Sequence, residues 1–275
     1  IKSNLVFGIH QNYFKEVQKG ARYFIWRRLM RFSRNMSFYA ISKSVKKDWL
    51  DYVKIPKNRV KVVYNSINID YFNQQKIGAS RSKFRESLGC SESARVILYI
   101  GRLVKSKGID TLFEGLKDQL SSRDLHLVFV GRFDDSESSD DSKLLADMQG
   151  EKEVGTCVDR LHFLGFRSDI PEIMSASDLL VHPPRREGFG LVLAEALAVG
   201  LPIVASNVGG IPEVLANTDA IMVPPDHPEA LAKAVFTVLG WSKDKQSSAI
   251  AKGKKRAELF RPDKRAKLLL PLLEK

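Results

Sequence analysis

From residue 95 onward, short β-branched runs alternate with stretches of helical pattern. The runs predict strands at Val96 to Ile100, His126 to Val130, Leu161 to Phe163, Leu179 to Val181, Pro202 to Ala205 and Ala220 to Val223. Helices are predicted between them at Asp110 to Leu120, Asp169 to Ala176, Gly190 to Val199 and Pro228 to Leu239. Strand and helix alternating at this pitch imply a parallel, doubly wound α/β sheet with helices on both faces. In such sheets ligands sit beyond the carboxyl ends of the strands, so the chemistry belongs in the loops that follow them.

Upstream the same alternation is shorter. Strands are predicted at Leu5 to Ile9, Ser37 to Ile41 and Val60 to Val63, and helices at Phe14 to Arg34 and Ser44 to Tyr52. Two strand–helix units cannot close a core alone, since a domain needs on the order of 100 residues. Along the first helix Phe14, Val17, Ala21, Phe24, Ile25, Leu29 and Phe32 form one stripe, the expected core face. Lys15, Lys19, Arg22, Arg27 and Arg34 lie off it, with Trp26 and Met30 among them. The polar segment 66–94 reads as an irregular interdomain linker. The acidic, Ser-rich stretch Arg132 to Ser142 reads as a surface loop. The expected organisation is a partial N-terminal domain (1–65), the linker (66–94), a C-terminal domain (95–245) and C-terminal helices (246–275) that cross back to the N-terminal domain.

Composition narrows the class. With 44% hydrophobic and 28% charged residues the chain is globular rather than disordered. No uncharged apolar run approaches the roughly 20 residues that span a bilayer. The start, IKSNLVFGIHQNYF, is not a signal peptide, because its apolar stretch is short and a basic segment follows. A chain that does not begin with Met is the expectation for a fragment or a processed product. Cys90 and Cys157 form no metal-ligand spacing, which suits a reducing cytoplasm. Residues 1–65 hold 15 Lys or Arg against three acids, which accounts for the whole net charge of +12. Basic residues gather again in KGKKRAELFRPDKRAK, 252–267. A basic end on a neutral body calls for an anionic partner. Cations mixed with Trp26 and Met30 suit an acidic membrane surface, and a solvated helix face fits the same pattern. Nucleic acid is disfavoured because no readout module is visible.

Two loops carry candidate chemistry. GRLVKSKG, residues 101–108, follows a predicted strand and places Arg102 and Lys107 beside a helix start that favours anions, a plausible diphosphate clamp. A basic solvated loop satisfies the same pattern. REGFGLVLAEALAVG, residues 186–200, again follows a strand. There Glu187 precedes Gly188, Phe189 and Gly190, whose backbone can approach a ligand closely, and an apolar helix begins near Leu191. Glu195 sits among Leu193, Ala194, Ala196 and Leu197. A carboxylate in apolar surroundings needs a partner, and ribose hydroxyls would serve, although an ordinary surface glutamate has the same spacing.

Together E-G-F-G-L-x-x-x-E (187–195), GRLVKSKG, SNVGGIPEV (206–214) and YNSINIDYF (64–72) resemble the family-4 retaining glycosyltransferases of the GT-B fold, the group 1 glycosyl transferases. The resemblance runs from residue 37 to about 240. It implies two Rossmann-like domains facing a cleft, the N-terminal one incomplete here, with the C-terminal one holding a nucleotide sugar. It assigns Arg102 and Lys107 to the donor diphosphate, Glu187 to the transferred sugar and Glu195 to the ribose. The backbone of Gly188 to Leu191 would meet phosphate and sugar oxygens, and Gly165 and Phe166 the nucleobase. His10, after the strand LVFGI, falls where similar transferases place a histidine facing the donor; a histidine satisfying a loop carbonyl is the alternative. Neither metal nor cofactor is expected, since basic side chains and a helix terminus would neutralise the diphosphate. The implied reaction moves a sugar to a glycan or lipid-linked acceptor with retention, in the cytoplasm or at the cytoplasmic face of a membrane. The competing reading is a non-catalytic nucleotide-sugar-binding subunit or remnant, favoured by the missing first strands. A dehydrogenase is disfavoured because no G-x-G-x-x-G follows a strand.

Overall fold

The structure is a computed structural model that describes residues 5–10, 21–32, 36–73, 77–91, 93–122, 124–132, 139–154 and 159–273. Its elements fall into two parallel sheets. The first holds β1 (Leu5–Ile9), β2 (Met36–Ala40) and β3 (Val60–Val62) in that order. With it come α1 (Ala21–Phe32) and α2 (Lys43–Tyr52). The second sheet holds β4 (Arg95–Ile100), β5 (Leu125–Val130), β6 (Leu161–Phe163), β7 (Leu179–His182), β8 (Ile203–Ser206) and β9 (Ile221–Val223). Its spatial order is β6-β5-β4-β7-β8-β9, so the direction of winding reverses between β4 and β7. That is the doubly wound arrangement, and each of these strands starts and ends within one residue of its predicted bounds.

Alternation along each strand sends residues to two layers. Ile97, Tyr99, Leu127, Phe129 and Val181 pack under α5 (Ile109–Ser122), α6 (Ser139–Val154) and α10 (Pro228–Leu239). Val96, Leu98, Leu180, Ile203 and Ala205 face α7 (Ile170–Ala176) and α8 (Leu191–Val199). This second core is continuous with Phe38, Ala40 and Val60 of the first sheet, so one apolar layer joins the two sheets. The chain then runs through α11 (Lys243–Ala257) to α12 (Pro262–Leu273), which packs on β1, with the Arg265 guanidinium 6.0 Å from the centre of the Tyr39 ring.

Three sequence expectations need correction. The segment 66–94 is not irregular: it forms α3 (Ile69–Asn73) and α4 (Ile77–Ser87), and α4 packs along α7. Polar composition hid this, because the residues that fix α4 are arginines. Arg81 and Arg85 reach Asp178 at 2.8 and 3.2 Å, and Asp178 also accepts the Val96 N–H at 2.7 Å. The end of the acidic stretch is not loop either, since α6 begins at Ser139, with Asp140 and Asp141 in the first turn where the helix dipole favours them; residues 133–138 lie outside the described residues. Third, the apolar stripe of α1 does not face the core. Phe24, Ile25, Leu29 and Phe32 are each more than half exposed, and Met30 is buried instead. Arg59 sets that rotation by donating to the carbonyls of Met30 and Arg31, both at 3.1 Å, and to that of Met36. Phe14, Val17, Lys15, Lys19, Arg34 and Cys157 lie outside the described residues.

The Arg81–Asp178–Arg85 cluster yields a stability prediction. Asp178→Ala removes the carboxylate shared by Arg81 and by Arg85, whose side chain is 6% exposed. Breaking a buried pair in this way costs about 3–5 kcal/mol. Urea denaturation should show a loss of that order, and a loss below about 1 kcal/mol would mean that α4 is not held by this carboxylate.

Candidate functional site

The reversal between β4 and β7 leaves a crevice at the carboxyl ends of those two strands, and both motif loops open onto it. After β4, Arg102 is exposed at the mouth, and its carbonyl accepts the Tyr99 hydroxyl at 2.7 Å. Lys107 ends a 3-10 turn, Lys105–Lys107, that Gly108 closes in the left-handed region (φ 73) just before α5. A Cβ on Gly108 would lie 1.9 Å from the Pro183 carbonyl oxygen, so only glycine lets this loop rest on the one that follows β7. Arg185 ties the two loops together. Its N–H reaches the Ser106 carbonyl at 3.1 Å, and its guanidinium grips both Asp110 oxygens at 2.9 Å and Asp226 at 2.6 Å.

Across this seam the Lys107 ammonium lies 2.8 Å from Glu187 Oε2. His182, the last residue of β7, brings Nε2 to 3.3 Å from the same oxygen. The three side chains are 23%, 16% and 4% exposed respectively. Burial pushes the Glu187 carboxyl up, but the His182 hydrogen bond and the Lys107 charge outweigh it and hold it down at about 2. Glu195, the fifth residue of α8, behaves in the opposite way. Among the described residues it has no hydrogen bond or ion pair, and burial alone pushes it up to about 7.

The other predicted residues surround this centre. Gly190 caps α8 in a left-handed conformation (φ 89), and Leu191, its first residue, is exposed. The Phe189 ring is buried against Tyr64 and Phe260, so only its backbone faces the crevice loop. A Cβ on Gly188 would sit 3.1 Å from the His10 carbonyl oxygen, which places the end of β1 directly beside the Glu187 loop. The His10 ring itself is 3.4 Å from the Tyr39 hydroxyl. After β6, the Gly165 carbonyl accepts the Gly131 N–H at 2.9 Å, and Phe166 is 69% exposed with the Arg132 guanidinium 5.0 Å from its ring centre. Sequence reasoning passed over His182, Arg185 and Glu213. The first had a signal: a histidine that ends the apolar run Leu179–Val181 on the face of Leu180.

The two carboxylates give a pH prediction. A carboxyl whose folded pKa is raised contributes stability that is complete below its unfolded pKa, here 4.5, and lost as pH climbs through about 7. Glu195→Gln removes that ionisation, so it should stabilise the ligand-free protein at pH 8 by roughly 1–3 kcal/mol and much less at pH 5. Denaturant titrations at the two pH values measure this, and an equal gain at both would show that Glu195 ionises normally.

Comparison with known proteins identifies the family and the fold. The chain is 32% identical over 202 residues to an uncharacterized glycosyltransferase of Methanocaldococcus jannaschii, covering 72% of this chain and 50% of that protein. It is 30% identical over 180 residues to the N-acetyl-alpha-D-glucosaminyl L-malate synthase of Bacillus anthracis, covering 66% and 44% respectively. It thus spans about half the length of these curated relatives. Among solved structures, Anabaena HepE in complex with UDP and glucose superposes with a TM-score of 0.84 at 22% identity, over 99% of this chain and 72% of that one. A likeness at that identity speaks for the fold, which is of the GT-B type. Residues 80–256 match the family described as glycosyl transferases group 1, and with the Methanocaldococcus relative this establishes that the chain belongs to the group 1 glycosyl transferases.

Proposed function

We propose that the crevice between β4 and β7 binds a nucleoside-diphosphate sugar and that the protein transfers its sugar to a glycan or lipid-linked acceptor with retention. The observation that carries this reading is the Lys107–Glu187 pair, one cation and one ionised carboxylate 2.8 Å apart at the switch point of the sheet. Lys107 and Arg102 neutralise the diphosphate, and Glu187 accepts hydroxyls of the transferred sugar. Glu195 accepts the ribose hydroxyls, which would supply the polar partner it lacks. The backbone of Gly188 to Leu191 meets phosphate and sugar oxygens, the loop at Gly165 and Phe166 takes the base, and His10 borders the sugar from the first sheet. Charge grows on the leaving diphosphate oxygen as the anomeric bond breaks, so both cations stabilise the transition state more than the ground state. On this reading no metal is needed. The UDP and glucose bound to HepE, and relatives such as the lipopolysaccharide glucosyltransferase WaaG of Escherichia coli, support the substrate class.

The acceptor side of the reading places the protein at the cytoplasmic face of an anionic membrane. On α1 the exposed Phe24, Ile25, Leu29 and Phe32 stand beside the exposed Arg28 and Arg31, whose guanidinium groups lie 5.6 and 5.5 Å from the centre of the Phe32 ring. Apolar side chains among cations fit a lipid interface, where each Lys or Arg contributes about 1 kcal/mol. Among the described residues no helix is long and apolar enough to cross a membrane.

Two measurements test these proposals. Lys107→Ala and Arg102→Ala should each weaken binding of UDP, GDP or ADP by roughly 1.5–3 kcal/mol in calorimetry, the value of a charge-assisted hydrogen bond. Unchanged affinity in both variants would remove the diphosphate assignment. In liposome co-sedimentation, vesicles with acidic lipid should retain the protein at low salt and release it at high salt. Equal sedimentation with neutral vesicles would leave α1 as solvated surface.

A further inference from the structure

Glu187 Oε2 is held by two partners of different character. Lys107 approaches it on a flexible stem from the loop after β4, at 2.8 Å. His182 approaches it from the end of a central strand, where its side chain is 4% exposed and the sheet fixes its backbone. Among the described residues Glu187 Oε1 has only a long contact, 3.5 Å, from the Phe189 N–H. The imidazole has no other hydrogen bond: its Nδ1 is buried without a partner among the described residues. Because Glu187 is ionised and accepts, the proton must sit on Nε2. A leucine would fill this position on the apolar face of Leu180 without leaving a polar atom unpaired, so packing does not account for a histidine here.

The asymmetry matters once a diphosphate enters the crevice. An ammonium is drawn toward the larger negative charge, and its hold on Glu187 weakens as it turns. If Lys107 were the sole partner, donor arrival would loosen the carboxylate at the moment it is needed. We propose that His182 is the positioning residue for Glu187: its Nε2–H anchors Oε2 while Lys107 turns to the diphosphate, and keeps Oε1 presented to the transferred sugar. This rests on the reading of Glu187 as the sugar-contacting carboxylate.

The test uses the amide isosteres of the two imidazole nitrogens. The side-chain amide of His182→Gln can donate from the position of Nε2, whereas that of His182→Asn reaches only the position of Nδ1. Calorimetry with UDP, GDP and ADP, and with the glucose conjugate of each, should show that the Asn variant loses tenfold or more in nucleotide-sugar affinity. Its affinity for the bare nucleotide should change less than twofold, and the Gln variant should stay within threefold of the wild type for both ligands. Nitrogen-15 spectra of the ligand-free protein should show the His182 imidazole protonated at Nε2. A neutral tautomer protonated at Nδ1, a full-affinity Asn variant, or Gln and Asn variants that lose both ligands alike would overturn the proposal. If the wild type binds none of the six ligands, the donor-site reading fails and the proposal with it; nucleotide binding without the Asn–Gln difference overturns the proposal alone.

Discussion

A parallel sheet cannot join neighbouring strands by hairpins, so every connection crosses a face, and the face chosen determines where the sheet opens. Here the crossovers run one way from β4 through β5 to β6 and the other way from β7 through β8 to β9. The crossovers that leave β4 and β7 therefore run to opposite sides, and the loops that begin them meet at the carboxyl ends of these two adjacent strands. That single reversal explains why Lys107 and Glu187, 80 residues apart in sequence, meet at 2.8 Å. It also explains the place of Arg185, since two loops that meet beyond the strand ends have no ladder hydrogen bonds to hold them together. Its double grip on Asp110 and its bond to Asp226 replace that ladder with charge.

Within the crevice two carboxylates eight residues apart are driven in opposite directions by the same loss of water. Glu187 is desolvated but meets a hydrogen bond from His182 and the charge of Lys107, and remains ionised down to about 2. Glu195 is desolvated and meets no polar partner among the described residues, so it is pushed up to about 7. A half-withdrawn carboxyl with no partner is costly in a protein that only has to fold. On the proposed reading the ribose hydroxyls complete it, and Glu195 marks the part of the site that is unfinished until the nucleotide arrives. Glu187 marks the part that is already formed.

How much of this was legible depended on whether the decisive contact was local. The strands of the larger sheet could be read to within a residue because β-branched runs and glycine exits are local signals. Lys107 and Glu187 could be singled out because each follows a strand end in a recognisable loop, and Glu195 because it is the one charged residue in the apolar helix α8. The segment 66–94 was misread because Arg81 and Arg85 fix α4 through Asp178, almost 100 residues away, and arginine in a polar stretch looks solvated. The stripe on α1 was assigned to the core because periodicity shows that a helix has an apolar face but not which way it turns. Arg59, about 30 residues downstream, decides that. His182 was overlooked for a different reason: its strand was read as ending one residue earlier, at Val181, and a polar residue on the face of Leu180 does not by itself say that it holds a carboxylate.

The contact between the two sheets is built on the same loop as the crevice. Glu213, in the short helix α9 (Ile211–Val214), accepts the N–H groups of Lys43 and Ser44 at 2.8 Å, so its negative charge caps the start of α2 in the first sheet's layer. It also accepts the Tyr64 hydroxyl at 3.1 Å; burial and this carboxylate push that phenol up to about 12. Three residues before Glu213, the Gly210 N–H donates to the Glu187 carbonyl at 3.0 Å. On the other side of that loop Gly188 lies against the His10 carbonyl, and Phe189 packs between Tyr64 and Phe260. The backbone of Glu187 is thus held from behind by the segment that clasps α2 and from in front by the end of β1. A rotation of one sheet against the other could not leave that backbone where it is, because both sets of contacts would have to break or follow. The position of the carboxylate is therefore a property of the two-sheet assembly, and the six-stranded sheet alone would supply the crevice without fixing the residue that lines it.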